Sequence, residues 1–257
     1  MINEKIFSEL INRGVITRVG LKTSDFSSFQ DLQKKGFVTQ ISSDVIYDNI
    51  VSDYTEKENK VTDFLSVMTG GGDAVLPFDI VLDAPIVIEK DVTLDLNGHN
   101  IHMNSWIEDD GSSNSYAFWV KGGTLTINGN GMVSTSDAEY SMAVWVNGGN
   151  VVINDGKFVN KGSGCDLIYL SGKGDLTING GYFAATEIGE IVEGTLNKRS
   201  AINIKDASRS TCNVYVKGGT FLGFNPADNL SEGPNTNFVV DGYETVEDRL
   251  YYTVKES

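Results

Sequence analysis

From residue 94 onward the chain writes one short pattern five times. Two apolar residues flank a single position at Leu94/Leu96, Leu125/Ile127, Val151/Ile153, Leu176/Ile178 and Val214/Val216. A turn residue follows each pair, at Asn97, Asn128, Asn154, Asn179 and Lys217, with spacings of 31, 26, 25 and 38. Four positions later stands Ile101, Met132, Phe158, Phe183 or Phe221. Upstream lies a second short strand: Phe118-Trp119-Val120, Val144-Trp145-Val146, Ile168-Tyr169-Leu170 and Ile202-Asn203-Ile204, with Val87-Ile88 as its first version. Alternation with period two marks strands that bury one face. Several such strands per repeat of about 25 residues, with glycine at the corners, predict a single-stranded parallel β-helix of about five main coils. Leucine-rich repeats share the length but need a helix or a long Leu template, and this chain has neither.

Coils stacked about 4.8 Å apart put equivalent side chains in columns. Ile101, Met132, Phe158, Phe183 and Phe221 are expected to form an internal apolar column. Asn97, Asn128, Asn154 and Asn179 are expected to form an amide ladder that Lys217 breaks, which is scaffold because stacked amides satisfy one another. With Phe118/Val120 and their equivalents inward, Trp119, Trp145 and Tyr169 point outward, flanked by Ala117, Ala143 and Leu167. An outward apolar stripe fits contact between identical subunits first, cover by the loop 104–115 second, and a platform for sugar rings third.

Composition separates this body from what precedes it. Of 28 glycines, only Gly14, Gly20 and Gly36 come before Gly70, and Gly70-Gly71-Gly72-Asp73 reads as a hinge. Residues 1–72 carry 10 acidic and 8 basic side chains, and residues 73–257 carry 25 and 12. The first segment, 1–72, reads as a helical module for attachment and oligomerisation, and 73–257 as the β-helix with a C-terminal cap. Short helices are expected at 2–11 and 27–35. Ser42-Ser43-Asp44 offers caps for a longer helix reaching Thr69. Within it Tyr47, Ile50, Tyr54, Lys57, Val61, Phe64 and Met68 step by three and four, a heptad seam with one polar breach at Lys57. The same seam also suits an amphipathic helix packed on its own domain.

The total charge of −15 disfavours nucleic acid and anionic membranes as partners. No apolar run reaches the roughly 18 residues of a membrane span, and the first residues lack a signal peptide's hydrophobic block, so synthesis in a cytosol is expected. Two cysteines, Cys165 and Cys212, read as small hydrophobes rather than a disulfide framework.

The phrases Leu176-Thr177-Ile178-Asn179-Gly180 and Gly218-Gly219-Thr220-Phe221 resemble the pectin-lyase-like right-handed β-helix family over residues 80–240. The tail, with Asn225-Pro226-Ala227-Asp228, Asn237 to Tyr243 and Tyr251 to Val254, resembles the closing segment of bacterial and phage β-helix proteins. A helical module before such a body is similar in arrangement to head fibres of tailed bacteriophages, those of crAss-like phages in particular. That resemblance implies a structural virion protein on the capsid exterior, made in a bacterial cytoplasm. Its partners would be capsid proteins and copies of itself, as a homotrimer or a dimer, with glycans as further contacts.

The same family includes polysaccharide lyases and hydrolases, which makes a depolymerase the alternative; a bacterial surface adhesin is third. Catalysis needs calcium-binding acids beside a basic residue, or two carboxyl groups about 5 to 9.5 Å apart. The outward columns read Asp95, Thr126, Val152, Thr177, Tyr215 and Glu89, Lys121, Asn147, Ser171, Lys205, and neither gathers acids. No catalytic residue, metal ligand or cofactor is assigned. His99 and His102 read as turn and surface residues. Two insertions remain as ligand contacts: Trp106, Glu108, Asp109 and Asp110 in 104–115, and Glu187, Glu190 and Glu193 in 186–200.

Overall fold

The computed structural model describes residues 43–160, 166–185 and 200–257, with side chains from residue 56. The expected helices at 2–11 and 27–35, Cys165, and Glu187, Glu190 and Glu193 lie outside the described residues. So do the side chains of Tyr47, Ile50 and Tyr54. Two compact units are present, Met1–Thr62 and Asp63–Ser257. Ser43–Gly70 is one α-helix, α1. No described helix is long and apolar enough to cross a membrane.

The second unit is mainly β, and its strands come in a repeating order. The first repeat contributes β1 (Gly72–Val75), β2 (Ile80–Leu82) and β3 (Ile86–Ile88). The second contributes β4 (Val92–Asp95), β5 (Asn100–Met103), the short β6 (Trp106–Ile107) and β7 (Ser113–Val120). The third has β8 (Thr124–Asn128), β9 (Met132–Thr135) and β10 (Tyr140–Val146). The fourth has β11 (Asn150–Ile153), β12 (Lys157–Asn160) and β13 (Ile168–Leu170). The fifth has β14 (Gly174–Ile178), β15 (Tyr182–Ala184) and β16 (Ile202–Ile204). The sixth has β17 (Cys212–Val216) and β18 (Gly219–Leu222), before a hairpin of β19 (Tyr243–Asp248) and β20 (Tyr251–Glu256).

Equivalent strands of successive repeats pair in parallel. The first sheet runs β1-β4-β8-β11-β14-β17, the second begins β2-β5-β9-β12-β15-β18, and the third runs β3-β7-β10-β13-β16. Each sheet therefore gains one strand per repeat, and the inward residues of all three are buried.

The C-terminal segment covers the last strand of every sheet. β20 pairs antiparallel with β18, and Val239 pairs with Val216. The Glu232 carboxylate accepts from the Ile204 N–H at 2.6 Å and from Arg209 Nε at 2.8 Å. Open strand edges invite foreign pairing, so this cover closes that end of the stack.

Four readings of register need correction. The internal column is Ile80, Ile101, Val133, Phe158, Phe183 and Phe221, with Val133 in place of Met132. The turn Asn128-Gly129-Asn130-Gly131 holds one residue more than the turn after Asn154 and one fewer than the turn after Asp95, which shifts the count. In the first copy of the pattern the inward pair is Val92/Leu94, since Val92 pairs with Leu125 and Leu94 with Ile127. Thr93, not Asp95, is then the outward residue between them, and Asp95 pairs with Asn128. The ladder is accordingly Asn128, Asn154 and Asn179, joined by two amide bonds of 2.8 Å, while Asn97 Nδ2 donates to Leu76 O at 3.3 Å outside it. In the glycine run Gly70 ends α1 and Gly72 opens β1.

One polar cluster sits inside the core and carried no sequence signal. Asn160 Oδ1 accepts from Thr135 Oγ1 at 2.9 Å and from Ser141 Oγ at 2.5 Å, and its Nδ2 donates to Ser141 O. All three side chains are buried. Asn160→Ala removes three buried hydrogen bonds, while the Thr135 and Ser141 hydroxyls keep each other at 2.9 Å and Ser141 keeps Ser136 O at 3.1 Å, so a loss of about 1–2 kcal/mol is expected in urea unfolding. A loss below about 0.5 kcal/mol would show that the cluster is dispensable.

Candidate functional site

The outer face of the third sheet carries the chain's aromatic concentration. Ile86/Ile88, Phe118/Val120, Val144/Val146, Ile168/Leu170 and Ile202/Ile204 are buried. Alternation then sends Val87, Trp119, Trp145, Tyr169 and Asn203 outward, in register across five strands. Strand spacing of about 4.8 Å matches aromatic stacking distance, so rings in one column meet face to face. Trp119 and Trp145 stack with centroids 4.9 Å apart and 4° between planes. Lys121 Nζ lies 4.8 Å over the Trp119 ring, and Trp145 Nε1 donates to Ser171 Oγ at 2.8 Å. Trp119 Nε1 is buried with no acceptor among the described residues.

The flanking apolar residues do not lengthen this stripe. Ala117, Ala143 and Leu167 are wholly buried, contrary to strict alternation. The N–H groups of both Ala143 and Val144 donate to Leu167 O, at 2.9 and 3.4 Å. The pairing of β7 with β10 skips Ala117 and Ala143, so alternation breaks at the same point in both strands. Tyr116 then lies on the aromatic face, edge-on to Trp119 at 6.2 Å and to Trp145 at 5.3 Å. Period-two reading puts Tyr116 inside with Phe118, so only this break reveals it.

The insertion 104–115 is a hairpin, not a free loop. Trp106 and Ile107 pair antiparallel with Asn114 and Ser113. Trp106 packs edge-on against Tyr116 at 4.7 Å, and its Nε1 donates to Glu108 Oε1 at 2.7 Å. Burial, and next the charge of Glu108, push the Tyr116 phenol above its ordinary pKa. At the hairpin tip Asp110 Oδ1 accepts from Ser112 Oγ and N–H at 2.7 and 2.9 Å, which holds its carboxyl below the usual range. Asp110 therefore builds the turn. Glu108 and Asp109 are exposed beside it. Among the described residues no group of three His, Cys, Asp or Glu side chains is placed to hold a metal.

At the far end of the column Asp166 accepts from Asn203 Nδ2 at 2.6 Å and from the Ser200 N–H at 2.8 Å. Burial raises its pKa despite both bonds. On the second sheet, His102 has a serine hydroxyl at each ring nitrogen, Ser134 Oγ at 3.0 Å and Ser136 Oγ at 3.1 Å, and His99 faces Asp79 at 3.4 Å. These are packing roles for both histidines.

Of the helical seam, Val61 is half-buried, and Phe64 and Met68 are 5% and 0% exposed within the chain itself. The last two turns of α1 thus pack intramolecularly, and these two side chains are not free to meet a neighbour.

The corner leading to the first sheet mixes both signs: Lys90, Lys121, Lys173, Lys205 and Arg209 stand with Glu89, Asp91 and Asp206, and Lys121 pairs with Glu89 at 3.5 Å and Arg209 with Asp206 and Glu232 at 2.8 Å. The corner leading from the second sheet carries Asp83, Glu108, Asp109, Asp110, Asp137 and Glu139. The aromatic rings lie between the two. The Trp119 ring thus has two partners, Trp145 stacked on it and the Lys121 ammonium 4.8 Å from its centroid.

No protein-family model, curated protein or solved structure matches the chain.

Proposed function

We propose that this chain is a structural protein without catalytic activity: a right-handed parallel β-helix used as a rigid spacer. A helical N-terminal module attaches it to a capsid, and copies associate as a homotrimer on the virion exterior, in the manner of a phage head fibre. The observation that carries this reading is the repeat of one strand per sheet, held in register through five steps in the first sheet. Such stacking gives a quasi-one-dimensional body whose stiffness comes from a continuous core. Support for self-association comes from the aromatic column on the third sheet, where Trp119, Trp145 and Tyr169 are only half-buried within one chain. The net negative surface suits a crowded particle, because like charge keeps neighbouring rods dispersed.

Light scattering on the full chain tests assembly. A mass of three times 27.9 kDa is the expected result, and a monomer would remove the self-associating fibre. Antibodies raised against the chain should label the outside of particles from the phage that encodes it. Unlabelled particles would remove the virion assignment.

A further inference from the structure

We propose that Asn130 is a site of spontaneous covalent modification. Its side chain closes on the Gly131 nitrogen and loses ammonia, leaving an aspartyl or isoaspartyl residue in the turn between β8 and β9. The inference is independent of the fibre reading.

Asparagine is a chemically labile residue, and a following glycine favours ring closure because it has no side chain to shield its nitrogen. The chain has five such pairs, beginning at Asn97, Asn128, Asn130, Asn147 and Asn179. Closure needs an amide free to turn toward the next residue and a backbone N–H free to give up its proton. A hydrogen bond on either group must break first.

Four of the five pairs carry such a bond. Asn97 Nδ2 donates to Leu76 O at 3.3 Å. Asn128 Oδ1 accepts from Asn154 Nδ2, and Asn179 Nδ2 donates to Asn154 Oδ1, both at 2.8 Å. After Asn147 the nitrogen itself is held, since the Gly148 N–H donates to Lys173 O at 2.8 Å. Asn130 differs from all four. Its side chain is exposed, and neither its amide nor the Gly131 N–H has a hydrogen-bond partner among the described residues. A Cβ on Gly98 would stand 3.6 Å from Asn130 Oδ1, an ordinary van der Waals contact.

Stacking of the repeats is what puts glycine behind this asparagine. A Cβ at Gly131 would lie 1.9 Å from His99 O and 2.7 Å from Leu96 Cβ. The contact that excludes a side chain there also leaves the nitrogen bare. It fixes the consequence as well, because the Met132 N–H donates to the same His99 O at 3.2 Å. An isoaspartyl linkage adds one backbone carbon just ahead of both residues, which loosens the second repeat from the third.

The step balances without oxidant or reductant. Hydroxide takes the Gly131 proton, the nitrogen bonds to Asn130 Cγ, and the Cγ–Nδ2 bond breaks. The departing nitrogen takes a proton from water and leaves as ammonia. Water then opens the five-membered imide at either carbonyl.

The full chain is aged at mildly alkaline pH, in buffer and in urea, and mass spectrometry with peptide fragmentation locates each amide turned to acid. One hydrogen bond that must break first slows closure by about tenfold. In buffer Asn130 is therefore expected to convert about tenfold faster than any other pair, and in urea all five at similar rates. A protein-isoaspartate carboxyl methyltransferase should methylate the aged chain but not aged Asn130→Gln. Asn154→Ala removes the partner of both Asn128 and Asn179, so both should convert about tenfold faster. Melting temperatures taken before ageing show that the variants fold. The inference is overturned if another pair leads in buffer, or if Asn130 converts in urea but not in buffer. Unchanged rates at Asn128 and Asn179 in Asn154→Ala would overturn it too, because hydrogen bonding would not then set the order.

Discussion

Gly174→Ala is expected to lower the melting temperature of the strand unit by about 10 °C, the equivalent of about 4 kcal/mol for a unit of this size. Gly174 opens β14 with φ +137°, a backbone conformation that L side chains rarely adopt. A Cβ there would lie 1.9 Å from Gly149 O and 3.1 Å from Val146 Cγ1. The obstruction is the backbone of the repeat before it, held in turn by its own neighbour: a Cβ on Gly149 would come 2.7 Å from Gly122 O. Relief requires the two repeats to part, and parting breaks the parallel ladder on both sides of the corner. Gly111→Ala is the control. Gly111 also has positive φ, +86°, but nothing lies within 4 Å of its added Cβ, so only backbone strain of about 1 kcal/mol applies. Thermal melts followed by circular dichroism compare the two. Equal shifts would mean that φ alone, not the close approach of repeats, explains the glycine.

Phe183→Ala is expected to cost about 3–5 kcal/mol in urea unfolding. The Phe183 ring is fully buried and stacks on Phe158 at 5.3 Å and on Phe221 at 4.8 Å. Cavities are expensive where the surroundings cannot collapse into them. Backbone closes this site on one side, since Cβ atoms added at Gly181 and Gly219 would lie 3.4 and 3.1 Å from the ring. Hydrogen exchange should quicken first in β12, β15 and β18, which share the column. A loss under about 1 kcal/mol would mean that the column repacks and that the stack is not the continuous core described above.

The strands and their faces were legible because period-two alternation is local: Phe118 and Val120 in, Trp119 out, follows from adjacent Cβ directions. So was the recurrence, because stacked repeats demand similar residues at similar intervals. The slips at Met132 and Asn97 arose where a turn gained a residue. Counting along the chain cannot tell which side of a turn absorbs an insertion, whereas hydrogen bonding between repeats can.

The candidate site was half visible. Trp119 and Trp145 were found by alternation, but Tyr116 reaches them only because alternation breaks at Ala117 and Ala143. Trp106, read as a ligand contact, became their packing partner because β6 folds back on β7. The sequence by itself determined the repeat, the inward and outward columns and the excess of acid. Only the tertiary structure decided that Trp106 of the hairpin and Tyr116 join Trp119 and Trp145 in one aromatic cluster. Those residues come from an insertion and from two repeats, and only the parallel pairing of one repeat on the next, with β6 folded back on β7, brings them into a common surface.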